Sequence, residues 1–331
     1  MFSNRLAPMR WFISLLGLML AAFAFAAELR PVRFVTDWKA EAAHGGYYQA
    51  KARGFYEQAG LDVRIIQGGP SVNVPLLLGA RQADFGIGSN SFIPLNMVQA
   101  GVPARAVSAV FQKDPQVLIT HPRSDIRSIA DMKDRPILVS DAAVGSYWSW
   151  LKQTFGFKDS QIRKYTHNLA PFLTDPKAIQ QGYVFAEPYE IEQASKVAPQ
   201  VFLLADAAYP SYGSLILATD RLIQQDPALV RAFVAASIAG WRDYLGGDPT
   251  PGNALIQADN PELTEATLQH AIAEMNRYQI VTAGTAQTAG IGAMTEGRWR
   301  EFFTTMSAAG VYPADLDWRA AYRLDFLPPA P

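Results

Sequence analysis

The chain has 331 residues, with 29 lysines and arginines against 30 aspartates and glutamates and a formal net charge of −1. So even a balance gives no electrostatic reason to expect nucleic acid or an anionic membrane surface as partner. Cysteine is absent, which excludes disulfides, thiol catalysis, iron–sulfur clusters, cysteine-ligated zinc and a lipid anchor carried on cysteine.

Residues 1–26 read as a cleavable export leader. Arg5 and Arg10 precede an apolar run, Trp11–Phe25, that is shorter than the roughly 20 residues of a membrane span. Ala24-Phe25-Ala26 supplies the small-x-small pattern that a signal peptidase reads, with the cut between Ala26 and Ala27. The expected location is the periplasm, away from ATP and cytosolic cofactors. What remains, about 300 residues, is enough for one large domain or two ordinary ones.

Strand and helix signals then alternate. Val32–Thr36, Leu61–Ile66, Ala83–Ile87 and Ala104–Phe111 read as strands. Helices are expected after His44, over Pro75–Arg81 and over Phe92–Ala100. Apolar, β-branched runs separated by helix-length segments predict a parallel sheet covered on both faces. The pattern restarts with strands at Pro136–Ser140, Arg163–Thr166, Tyr183–Ala186 and Val201–Ala205. Helices are predicted at Tyr147–Phe155, Pro176–Gly182 and Ile191–Val197. Two apolar strands, Gln116–Thr120 and Gly213–Thr219, bracket this second unit. That arrangement predicts two α/β lobes joined by a double crossing: a discontinuous larger lobe, 27–122 and 212–331, and an inserted smaller one, 123–211.

The last third turns helical. Pro227 sits where a first-turn proline is tolerated, and Val230, Phe233, Val234, Ile238, Trp241 and Leu245 follow at three- and four-residue spacing. Thr264–Tyr278 and Gly297–Ala309 read as further helices, and Leu327–Pro331 as a frayed tail.

Catalytic motifs are missing. There is no G-x-S-x-G elbow, no H-E-x-x-H and no phosphate-cradling G-x-x-x-x-G-K-[ST]. His44, His121, His167 and His270 are scattered without ligand spacing, so neither a metal nor a cofactor is expected. Chemistry-bearing residues instead gather at the C-terminal ends of the predicted strands, where open α/β sheets bind ligands. Asp37-Trp38 ends the first strand, with His44-Gly45-Gly46 opening the next helix. Ser89 and Asn90 end the third strand, Gln112 the fourth. Asn168 and Glu187-Pro188-Tyr189 follow strands of the second unit, and the proline should hold Glu187 extended. The expected binding set is Trp38, His44, Ser89, Asn90, Gln112, Asn168, Glu187 and Tyr189. One of Tyr47 and Tyr48 is expected in the core and the other at the cleft; Trp150 is read as core. Aromatic faces beside a carboxylate suit a flat nitrogen heterocycle with an exocyclic amine; a sulfonate or nitrate would be repelled.

Two stretches carry a family resemblance. Trp38–Val63, WKAEAAHGGYYQAKARGFYEQAGLDV, resembles the opening of the NMT1/THI5-like solute-binding proteins. Leu76–Gly88, LLLGARQADFGIG, is similar to a segment of that family shared with sulfonate and nitrate binders. Ala178–Tyr189 and Val230–Leu245 look like the family too. The resemblance implies a periplasmic-binding-protein-like fold of type II, with two α/β lobes, a two-strand hinge and ligand in the cleft. It also implies a monomeric receptor that serves an ABC permease and a separate ATPase subunit. The leading ligand is a thiamine-precursor pyrimidine, with sulfonate, nitrate or an aromatic acid as alternatives. One branch of the family is a fungal pyrimidine synthase that uses pyridoxal phosphate and iron. The places of its cofactor lysine and consumed histidine are taken here by Gly88 and Phe92, and its cysteine-rich motif cannot exist in this chain, so an enzyme is not expected.

Overall fold

The computed structural model describes residues 28–327; the expected leader and its cleavage site lie outside them. In chain order, five strands are β1 (Arg30–Val35), β2 (Leu61–Ile66), β3 (Phe85–Asn90), β4 (Ala104–Phe111) and β5 (Gln116–Thr120). Five more complete the set: β6 (Ile137–Val139), β7 (Ile162–Lys164), β8 (Ile179–Tyr183), β9 (Gln200–Leu203) and β10 (Gly213–Thr219). They form two five-stranded sheets, in the orders β2-β1-β3-β10-β4 and β7-β6-β8-β5-β9. Each sheet is the centre of one α/β lobe.

The sheets are mixed, which corrects the parallel expectation. β10 runs antiparallel between β3 and β4, and β5 runs antiparallel between β8 and β9. Each of these strands follows a crossing between the lobes and enters its sheet from the far side, so its direction is reversed. The first crossing is Gln112–Pro115, because β5 already bonds within the second sheet. The boundary at residue 122 therefore falls one strand too late.

A second correction concerns Pro176–Gly182, which is no helix. Ile179–Tyr183 forms β8, the middle strand of the second sheet, with Gln180 and Gln181 buried. Glutamine favours helices over strands, but a slot between β6 and β5 overrides a propensity worth only tenths of a kcal/mol. Tyr183–Ala186 is consequently the end of β8 and the turn beyond it.

Seven helices matter for the site: α1 (Gly45–Ala52), α2 (Phe92–Gln99), α3 (Tyr147–Phe155), α4 (Glu187–Ser195), α5 (Pro227–Gly246), α6 (Glu265–Arg277) and α7 (Glu296–Ala308). α5 starts where Asp226 accepts the Leu229 N–H and Pro227 fills the first turn. Its apolar face buries Phe233 against Phe85, ring centroids 4.0 Å apart, and Trp241 against Tyr47. α1 lies close along it. A Cβ on Gly46 would stand 2.2 Å from the Trp241 ring, and one on Gly240 would stand 2.1 Å from the Gly46 carbonyl. Only glycine permits that approach. Tyr47 and Tyr48 are both buried, Tyr48 donating to Asp259 at 2.7 Å, so neither lines the cleft as expected. Trp150 is core in the second lobe. Among the described residues, no helix is long and apolar enough to cross a membrane.

Candidate functional site

The C-terminal ends of β1 and β3 face the second lobe, and Asp37 stands at their junction. Its Oδ1 lies 3.1 Å from His44 Nε2, and its other oxygen accepts the Ser89 hydroxyl. His44 is 2 % exposed, at the start of α1. Burial alone would raise the Asp37 carboxyl, yet the bonds from His44 and Ser89 hold it below the usual range. Burial would likewise lower the His44 imidazole, but the Asp37 bond and charge, aided by Glu41, hold it above its ordinary value. The two form a hydrogen-bonded pair fixed by the fold, in which each shift favours the charged form of its group. Ser89 and His44 thus position an acid more than they offer free donors.

The opposite wall comes from the end of β8 and the start of α4. Glu187 Oε2 accepts the Tyr183 N–H at 2.7 Å, and Oε1 accepts the Tyr165 hydroxyl at 3.4 Å. Glu187 is the first residue of α4, with Pro188 in the first turn, rather than the extended residue expected before proline. Burial pushes its carboxyl up to about 7, against the pull of the Tyr183 N–H. Glu41, on the first wall, is also pushed up to about 7 by burial. His44 opposes that shift, while Asp37, Glu187 and Glu190 reinforce it. Among the described residues, no lysine or arginine pairs with Asp37, Glu41, Glu187 or Glu190; His44 is the one basic side chain in contact.

Aromatic faces close the space. The Trp38 ring lies 5.2 Å from that of His167, and His167 lies 5.1 Å from Tyr165. His167 has φ +59°, a left-handed conformation that projects its ring toward the first lobe. Burial lowers its pKa, which favours the neutral imidazole. Tyr189 stacks on His270 of α6 at 4.2 Å, so it meets the other lobe itself.

The other expected contacts are engaged locally. Asn90 Oδ1 accepts the Phe92 N–H at the start of α2. Asn168 is exposed, and its Oδ1 accepts the Ala170 N–H. Gln112 Nε2 donates to the carbonyls of Ala109 and Ala293, tying the crossing to the segment before α7. The structure thus brings together Trp38, His44, Ser89 and Glu187, while Asn90, Gln112 and Asn168 cap or tether backbone. Residues that the sequence reading passed over include Glu41, Tyr165, His167 and Glu190. Glu190 is three residues after Glu187 on α4, a spacing that puts the two near one face; Glu41 had no signal beyond its place between Trp38 and His44.

The sequence model of the family described as NMT1/THI5 like matches residues 41–250. The riboflavin-binding protein RibY of Chloroflexus aurantiacus is 24% identical over 292 residues, 85% of this chain and 82% of that protein. A putative thiamine biosynthesis protein of Haemophilus influenzae is 27% identical over 130 residues, 39% of this chain and 40% of that one. Among solved structures, the periplasmic sulfonate-binding protein SsuA of Methylobacillus flagellatus superposes with a TM-score of 0.64 at 14% identity. That match covers 90% of this chain and 93% of SsuA, and it carries the fold.

Proposed function

Since the chain belongs to the NMT1/THI5-like family, we propose that it is the extracytoplasmic receptor of an ABC importer for an amine-bearing, planar nitrogen heterocycle. The solute would be held between the lobes and passed, chemically unchanged, to a membrane permease powered by a separate ATPase subunit. A thiamine-precursor pyrimidine such as an aminomethylpyrimidine is the leading ligand.

The observation that carries this reading is the acidic cleft. Asp37 and Glu41 on the first wall and Glu187 and Glu190 on the second have no lysine or arginine partner among the described residues, and the Trp38, His167 and Tyr165 rings follow one another at 5.1–5.2 Å. An ammonium or exocyclic amine donates to such carboxylates, and its ring stacks on the aromatic faces. A sulfonate brings a like charge to the same acids and is excluded by repulsion. Catalysis is not proposed: Gly88 and Phe92 stand where a synthase needs lysine and histidine, and a cysteine-free chain has no thiol nucleophile.

In mechanism, the ligand first meets the ordered Asp37 wall. The second lobe then closes about Gln112–Pro115 and the second crossing, Ala208–Tyr212. Contacts made only when Glu187 arrives supply the differential affinity that shifts the population toward the closed form. A flavin is the second reading, favoured by the similarity to RibY along most of the chain.

Calorimetry on the mature protein with an aminomethylpyrimidine, riboflavin and an alkanesulfonate separates these. We expect micromolar or tighter binding of the first, about −8 kcal/mol. Glu187→Gln should weaken it by about 1.5–3 kcal/mol, the scale of a charge-assisted hydrogen bond. Riboflavin binding alone would favour the flavin reading, and sulfonate binding alone would overturn the amine.

A further inference from the structure

The principal acid of each wall is followed closely by an aromatic residue that meets a histidine of the opposite lobe. Trp38 comes just after Asp37, and its ring lies 5.2 Å from that of His167, tilted by 41°. Tyr189 follows Glu187 and Pro188, and its ring stacks on His270 with centroids 4.2 Å apart and planes 21° apart. Each lobe thus gives one aromatic ring and one histidine, and the two contacts cross the cleft in opposite senses. The Tyr189–His270 stack is already at contact distance, which leaves no space for a solute ring between them.

Both contacts are anchored in firmly held backbone. His270 lies on α6, which is tied to the first lobe by Asn253 donating to Glu265 at 3.0 Å and Asn276 donating to the Leu245 carbonyl at 3.1 Å. Tyr189 lies in the first turn of α4, where Pro188 fixes the backbone and the Tyr189 N–H donates to the Ala186 carbonyl at 3.0 Å. In the same turn Glu187 is pinned on β8. Its Oε2 accepts the Tyr183 N–H, and a Cβ on Gly182 would stand 3.0 Å from that oxygen. Tyr189 and Glu187 therefore move as one body. His167 keeps φ +59°, which a residue other than glycine holds only where its surroundings enforce it, and its ring is met by those of Trp38 and Tyr165.

We propose that Tyr189–His270, with Trp38–His167 as its counterpart, is a clasp that fastens the lobes together and so sets where Glu187 stands opposite Asp37. Tyr189 and His270 are then positioning residues rather than solute contacts. The clasp deepens the receptor reading and serves it, but it needs no solute to form. The ligand-free protein is accordingly closed for much of the time, and both capture and release wait on the clasp opening.

Small-angle X-ray scattering of the ligand-free mature protein tests the clasp directly. His270→Ala should raise the radius of gyration, and His270→Phe, which keeps a flat ring, should restore it. In stopped-flow release of an aminomethylpyrimidine, His270→Ala should raise koff about three- to tenfold, the range one aromatic pair supplies, with capture no slower. Tyr189→Ala should match it, and the double variant should be no worse than either single, because one contact is lost once. Glu187→Gln should speed release yet leave the ligand-free radius as in wild type. A radius unmoved by both His270→Ala and Tyr189→Ala overturns the clasp, as do effects of the two that simply add. If His270→Ala unfolds, Tyr189→Ala reads the same contact from the other lobe. If wild type does not bind the pyrimidine, the amine reading falls, and the ligand-free radii still decide the clasp.

Discussion

On the wall supplied by β1 and β3, Asp37 is gripped from two sides, by a buried His44 and by Ser89. On the wall supplied by β8 and α4, Glu187 rests on one backbone N–H and a long bond from Tyr165, next to an exposed His167 held at positive φ. The first acid is charged and fixed; the second is near its titration point and lightly held. A prebuilt half and an adjustable half are what sequential capture requires, because the adjustable half can respond to the ligand that the other has already oriented.

The largest disturbance of this contrast comes from removing what makes the first wall rigid. Trp241→Ala, beneath the α1–α5 glycine contact, should cost about 3–5 kcal/mol in urea unfolding, as for a large buried aromatic. Asp37→Asn comes next. It should weaken an amine ligand by about 1.5–3 kcal/mol, similar to Glu187→Gln. It differs in one readout: the His44 imidazole should drop in pKa when followed by NMR, since the bond and charge that raise it are gone. Glu187→Gln should leave that signal in place.

The pH response arises from Glu41 and Glu187, whose native pKa values of about 7 lie above the ordinary 4.5. Between those values the native state holds protons that the unfolded chain has lost. Their contribution to stability is therefore greatest below about pH 4.5 and declines as pH rises to 7. Thermal unfolding of the free protein at pH 5 and pH 8 should show the decline, and Glu41→Gln should flatten it. A cationic ligand reverses the sense, because it needs both carboxylates ionised; its affinity should rise over the same interval. The smallest effect is expected from His167→Gly. Relief of left-handed strain should raise stability by about 1 kcal/mol, while loss of the ring facing Trp38 weakens binding.

The two α/β units, most strands and the position of Trp38 just past β1 were legible because apolar β-branched runs mark strands. β8 was not, since two buried glutamines in a central slot carry no strand signal. Asn90 and Asn168 each have a local task that spacing alone does not show: a side-chain oxygen two residues before a helical N–H caps it. The tether made by Gln112 was not legible either, because its amide reaches 181 residues along the chain to Ala293. The acidity shared by Glu41 and Glu187 likewise has no trace in spacing, being made by two lobes meeting.

The placement of β10 has a consequence for how the polypeptide acquires its shape. Residues 213–219 fill the slot between β3 and β4, so the first sheet lacks an inner strand until more than a hundred residues beyond β4 are available. Strands β5 to β9 form an unbroken stretch and have no such wait. The inserted lobe should consequently complete itself first, and the late arrival of β10 should set the slow phase of refolding, as long loop closures do.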